Sequence, residues 1–203
     1  MTSASSPILI IVSGPPASGK TTIGSRLAEE LGLPFFDKDS FKEILADDLH
    51  VGGLTWSQTL GGASFELLYV IAERQLAAGA PAVIEGNFSG ERSTRRFGDI
   101  IQKTDAHAIQ VNVRADGELL VKRYTEREES GERHPIHVDR PRSQADAFRS
   151  GLLRGELPPL DLGGEVVIVD TTDFDAVDIP DIAAQIRQHL SSAERLAVSG
   201  ADE

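Results

Sequence analysis

"ILIIVSGPPASGKTTIGSRLAEELG", residues 8–32, holds three signals in the order strand, turn, helix. Residues 8–12 are continuously apolar and rich in branched side chains, the pattern of a central parallel strand covered on both faces. Ile23, Leu27 and Leu31 then recur at helical spacing, and Gly32 stands where a helix would be broken. Between them, "GPPASGKT" satisfies G-x-x-x-x-G-K-[ST] in full, with Gly14, Gly19, Lys20 and Thr21 in the defining positions. Glycines permit the tight turn, so that successive backbone N–H groups surround phosphate oxygens at the start of a helix. Lys20 can reach the β and γ phosphates and Thr21 can ligate Mg²⁺, while Ser18 and Thr22 flank them in the same nucleotide-contacting stretch. The motif predicts nucleotide binding. It does not separate a small kinase from a GTPase, a mechanical ATPase or a nucleic-acid motor.

Working outward, "PFF" before Asp37, "PAVIEGNF" at 81–88, "HAIQVNV" at 107–113 and "EVVIVDTT" at 165–172 read as four further strands. Helical stretches between most of them favour an α/β fold with a five-stranded parallel sheet. Ser40 is a possible cap for a helix containing Ile44, Leu45 and Leu49, with Lys42 and Glu43 expected on its solvated face. Residues 50–62, "HVGGLTWSQTLGG", look glycine-rich and irregular, residues 63–79 look helical, and a last helix is expected over roughly 178–197. One domain over 7–197, with 118–154 as a lid and its adjoining segment and with flexible tails at 1–6 and 198–203, accounts for the length.

Ligands of open α/β sheets gather beyond the C-terminal strand ends, where Asp37, Asp39 and Glu85 are expected beside Lys20. A carboxylate there can align an acceptor hydroxyl and take its proton. Asp39 is the preferred base, and Asp37 is either a metal-organising acid or a helix-entry residue. Glu85 can bind an acceptor hydroxyl or assist Mg²⁺, Asn87 can hydrogen-bond the acceptor, and Phe88 can pack against it. Trp56, Phe65 and Tyr69 are possible floors of an acceptor pocket, with core packing as the competing explanation. Asp170 also ends an apolar strand, but its late position suits the edge of a nucleotide pocket better than the metal.

Residues 118–154 contain seven arginines, at 123, 127, 133, 140, 142, 149 and 154. Guanidinium groups stabilise the charge that spreads over a phosphoryl group in transit. Arg123 and Arg127 are one helical turn apart, and Arg133 and Arg140 could close from a lid that turns at Gly131, with ion pairing to the neighbouring glutamates as the alternative use of any one of them. A helical start through Tyr124 and Arg127 followed by an irregular stretch is the expected local structure. "HPIH" at 134–137 has neither cysteine partners nor the H-E-x-x-H pattern, so substrate contact or lid packing is a better expectation than zinc.

The formal charge of -12 disfavours extended binding to nucleic acid or to an anionic membrane. There is no cysteine, which excludes disulfides and thiolate metal sites and makes a cytoplasmic setting the simple expectation. The N-terminal residues resemble neither a signal peptide nor a membrane anchor. Homo-oligomerisation is left open.

"GPPASGKT", "FDKDSFKE", "VIEGNF" and the later arginine segment together resemble the P-loop kinases of the zeta toxin, chloramphenicol phosphotransferase and polynucleotide kinase group, AAA-type ATP-binding kinases, over approximately residues 8–190. The resemblance implies a three-layer sandwich with a five-stranded parallel sheet and a helical lid, and transfer of the γ-phosphate of ATP to a small-molecule hydroxyl. It implies Asp39 as base, Glu85 in acceptor binding, and Arg123, Arg127 and Arg133 as lid cations on the transferred group. A nucleotide-sugar or polynucleotide-end kinase, and a nucleotide-dependent regulatory protein with slow hydrolysis, are the alternatives. Acceptor choice is expected to lie within "HVGGLTWSQTLGGASF", residues 50–65.

Overall fold

Strands β1 (Ile8–Ser13), β2 (Phe35–Asp37), β3 (Ala82–Glu85), β4 (His107–Arg114) and β5 (Glu165–Asp170) form one parallel sheet in the order β2-β3-β1-β4-β5 in this computed structural model. It describes residues 6–131, 133–137 and 142–188. All but Ser6 of the expected tails at 1–6 and 198–203, together with Arg140 and the end of the last helix, lies outside the described residues. β1 is central, as its unbroken apolar run requires: Ile10 and Val12 face one layer of helices, Leu9 and Ile11 the other. The first layer holds α1 (Lys20–Leu31) and a helix over 179–188, which we label α7. The second holds α3 (Gly53–Ala77) and α4 (Gly90–Thr104). The sheet and its flanking helices make the expected three-layer sandwich.

Polar residues inside β4 are matched by the chain that crosses them. Gln110 Nε2 donates to Leu160 O and accepts from Leu160 N through Oε1, and Asn112 Nδ2 donates to Leu157 O. These bonds satisfy buried amides that would otherwise carry a desolvation penalty. They also hold the connection into β5 against the sheet.

Three local expectations are corrected. Helix α2 (Lys38–Asp48) is capped by Asp37 rather than by Ser40: Asp37 Oδ1 accepts from Ser40 N and Oδ2 from Ser40 Oγ, both at 2.7 Å. β2 runs directly into the helix, so the last strand residue is the one whose extended backbone can serve as N-cap. Residues 53–62 are not irregular but form the first turns of the 25-residue α3. Glycine lowers helix propensity without forbidding helix, and apolar contacts farther along α3 outweigh that cost. After α5 (Gly117–Glu129) the chain forms a further helix, α6 (Arg142–Leu153), where only an irregular stretch was expected. α5 and α6 close on a small core of Ala115, Leu120 and Leu152, with Tyr124 edge-on to Phe148. Gly117 allows this approach, since a Cβ there would stand 2.2 Å from Leu153 O.

Candidate active site

The loop 14–19 turns through left-handed backbone at Ala17 (φ 65°) and Gly19 (φ 79°), and α1 starts at Lys20. Gly14 lies so close to β4 that a Cβ would meet Val113 O at 2.3 Å, and Phe174 packs over Gly19. Thr171 Oγ1 donates to Ser18 O at 2.7 Å, which ties the loop to the end of β5. Among the described residues, no protein group accepts from the backbone N–H groups of Gly19, Lys20 and Thr21. The Ser18 hydroxyl is buried without a partner. Unpaired donors at a helix N-terminus form an anion cradle, the chemistry that suits phosphate oxygens. Thr22 is exposed on the same first turn.

Strand register brings Asp37 and Glu85 alongside each other, and Glu85 alongside Val12. Glu85 is only 2% exposed. Its Oε2 accepts from Thr21 Oγ1 at 2.8 Å, and Oε1 lies 3.7 Å from Lys20 Nζ. Burial pushes the Glu85 carboxyl up, against the pull of Lys20 and Thr21. A hydroxyl and a carboxylate beside a phosphate cradle are hard oxygen donors suited to Mg²⁺, which usually takes few protein ligands and keeps waters and phosphate oxygens. Asp37, by contrast, has both oxygens engaged in capping. Among the described residues there is no cluster of three or more acidic or histidine side chains that would hold a metal by itself.

One cavity of about 430 Å³ opens beside the loop. Pro16 and Ala17 line it from the loop and Lys20 from the start of α1, Lys38, Asp39 and Lys42 from α2, Asn87 from the turn after β3 and Arg92 from the first turn of α4. The third wall is one face of α3, with Leu54, Ser57, Gln58, Gly61, Gly62 and Phe65. Tyr124, Arg127, Arg133 and His137 close the side formed by α5 and the chain after it. Among the described residues, six cationic side chains thus face the cavity, and the one carboxylate lining it is Asp39.

Burial alone would raise the Asp39 carboxyl. Lys38, whose Nζ donates at 2.7 Å, together with His137 and Lys20, outweighs it and holds Asp39 well below the usual carboxylate range. A carboxylate kept ionised at the cavity wall can accept a hydrogen bond from a hydroxyl at any physiological pH.

Lys42 does not lie on a solvated face. It is 6% exposed, donates to Ser57 Oγ at 2.8 Å and stands 3.5 Å from His137 Nδ1. His137 Nε2 in turn meets Glu43 Oε1 at 2.7 Å, and His134 Nε2 meets Asp47 Oδ1 at 3.0 Å. Ile136 inserts between α2 and α3 beside Ala46 and Leu60. The "HPIH" stretch thus packs against α2 and α3, and its His137 also lines the cavity.

Of the other residues singled out from sequence, Arg127 and Arg133 reach the cavity and Arg123 does not. Arg123 donates to Thr171 O at 2.9 Å and binds α5 to the chain after β5. Arg133 donates to Tyr124 Oη at 2.9 Å and lies over the Tyr124 ring. Trp56 is 42% exposed and does not line the cavity, because α3 turns Ser57 and Leu54 inward instead. Phe65 does line it, whereas Tyr69 and Phe88 are buried with Phe97 in the core. Asp170 pairs with Arg114 at 3.2 Å and accepts from Thr172 N. Arg92, held by Glu66 at 2.9 Å, was missed, since nothing in its local pattern marks it.

Gly61 and Gly62 have open space where a Cβ would stand, and both face the cavity. Gly62→Ala is expected to raise thermal stability by about 0.5–1 kcal/mol, the usual helix gain over glycine. Gly62→Leu is expected to fill the cavity and raise the acceptor KM with little change in nucleotide affinity. Thermal melts and steady-state kinetics on the two variants check this.

A family model described as an AAA domain matches residues 9–152. A crystal structure from Chloroflexus aurantiacus J-10-fl, described only provisionally as a kinase, is 38% identical, with a TM-score of 0.83 and coverage of 91% of this chain and 98% of that one. The chain is also 23% identical over 237 residues to a cytidylate kinase of Nitratidesulfovibrio vulgaris (strain DP4), covering 93% of this chain and 94% of that protein. A shorter match, 37% over 73 residues, is to a shikimate kinase of Saccharopolyspora erythraea and covers 36% of this chain and 38% of that protein.

Proposed function

This chain belongs to the AAA-domain family and has the fold of P-loop kinases, and from that premise we propose that it transfers the γ-phosphate of ATP to a hydroxyl of a small molecule. The observation that supports this most is the shared cavity: Asp39 opens onto the same space as Lys20, Arg127 and Arg133. In this reading the loop amides and Lys20 hold the donor phosphates, and Asp39 aligns the acceptor hydroxyl and takes its proton as the oxygen–phosphorus bond forms. Arg127 and Arg133, from a lid made of α5 and the chain after it, stabilise charge on the group in transit. Thr21 and Glu85 are the residues that would hold Mg²⁺, directly or through water. Held there, the ion would supply positive charge against the donor phosphates. Arg123 serves this reading by positioning, through its bonds to the Thr171 and Thr172 carbonyls.

The likeness to the zeta toxin, chloramphenicol phosphotransferase and polynucleotide kinase group supports Asp39 as base without selecting an acceptor. The cavity's size and the chain's net charge of -12 favour a small acceptor over a polynucleotide end. Incubation with ATP, Mg²⁺ and a broad panel of hydroxyl compounds, read by product mass, tests the reading. A phosphorylated acceptor is expected. Release of free phosphate alone across the whole panel would overturn it in favour of a hydrolysing regulatory protein.

A further inference from the structure

The cations around the cavity are not equivalent. Lys20 is beside Glu85, Lys38 is bonded to Asp39, Arg92 to Glu66, and Arg133 to Glu128. Lys42 and Arg127 have no such partner, since among the described residues no carboxylate lies within ion-pair distance of either, and of the two only Lys42 is buried. The adjacent acid, Glu43, is turned to His137. A buried ammonium whose partners are one hydroxyl and, at 3.5 Å, one imidazole nitrogen, neither of them an anion, is costly unless something in the cavity completes it. The donor phosphates do not, because their cradle is the loop and the start of α1, whereas Lys42 and Ser57 stand on the wall made by α2 and α3.

We infer that the acceptor carries an anionic group of its own, a carboxylate or a phosphate monoester, and that Lys42 with Ser57 seats it while Asp39, on the same helix, meets the hydroxyl to be phosphorylated. The inference rests on the phosphotransferase reading above and specifies its substrate class. Recognition is by a charge-assisted hydrogen bond from Nζ, with Ser57 Oγ as a second donor once Lys42 turns toward the ligand. The electrostatic setting agrees. Burial, then Lys38 and Arg133, outweigh the opposing pull of Asp39 and Glu43 and push Lys42 down to about 8. The ammonium is thus charged at neutral pH and poised to gain from an incoming anion. His137, the remaining titratable group against it, is lowered by burial and is not the group that titrates above neutrality.

The test is an ATP-dependent acceptor screen in three arms: hydroxy acids, sugar phosphates, and uncharged sugars and alcohols. Product is expected in the first or second arm, which also tells carboxylate from phosphate. With that acceptor, Lys42→Met is expected to raise acceptor KM on the order of 10- to 100-fold, the worth of one charge-assisted hydrogen bond. Lys42→Arg is expected to recover part of the loss. Binding of a non-hydrolysable ATP analogue reports whether the variants are folded. If Lys42→Met does not fold, the wild-type profile decides: kcat/KM for the anionic acceptor should fall above about pH 8 as Lys42 loses its proton. A flat profile there, an unchanged KM in folded Lys42→Met, or efficient turnover confined to the uncharged arm overturns the inference and leaves the phosphotransferase reading standing. Free phosphate without phosphorylated product in any arm overturns both.

Discussion

Asp39→Asn is expected to lower turnover by about two to four orders of magnitude while ATP affinity stays nearly unchanged. The carboxylate lines the cavity, and its hydrogen-bond partner is Lys38 rather than a group of the phosphate loop. Because Lys38, His137 and Lys20 hold it strongly ionised, it is a weak base toward a free hydroxyl. Its work in the ground state is alignment, and it takes the proton late, when the oxygen has begun to bond to phosphorus and has become acidic. Asparagine keeps the shape and one acceptor oxygen but loses the charge and the capacity to take a proton. Single-turnover transfer rates at saturating ATP, beside equilibrium binding of a non-hydrolysable analogue, separate the two effects. Unchanged turnover removes Asp39 from the role of base.

Lys20→Met is expected to reduce transfer about 10³-fold, the scale on which a preorganised cation acts on a developing phosphoryl charge. It should also destabilise the protein in the absence of nucleotide. Lys20 and Glu85 are both largely buried, so removing the cation leaves a carboxylate without its compensating charge, a cost of about 3 kcal/mol. Lys20→Met combined with Glu85→Gln should recover much of the stability and none of the activity. Thermal melts of the single and double variants, paired with transfer rates, form a double-mutant cycle in which stability and catalysis part company. If the double variant regains activity as well, the contribution of Lys20 is structural.

The opening strand, loop and helix were legible in the sequence because their determinants are local: an apolar run, two glycines at turning positions and a helical repeat. The strand-end acids were legible for a related reason, since a parallel sheet brings its strand ends to one edge whatever the helices do. Distinctions that depend on distant partners were not. Whether Lys42 was solvated turned on Ser57 and His137 arriving from α3 and from the chain after α5. Trp56 and Ser57 are neighbours in sequence, and only the rotational setting of α3 decides that the serine faces the cavity. The helix itself was obscured by Gly61 and Gly62, whose low propensity reads as a break when their open face toward a ligand cavity cannot be seen. Arg123 and Arg127 share a helical face, yet one was drawn to backbone carbonyls and the other left at the cavity.

That α3 supplies a whole wall of the cavity from positions 54, 57, 58, 61, 62 and 65 bears on how such a protein could change its diet. Each position is a separate tooth on a rigid rod, and exchanging one alters the cavity's length or breadth without moving the rod. A pocket bounded by loops is recut by insertions and deletions, which disturb everything downstream. Here a single codon suffices. The paired glycines are the shortest teeth, so most exchanges at them run toward smaller acceptors, while Leu54, Gln58 and Phe65 are where room for larger ones would be made.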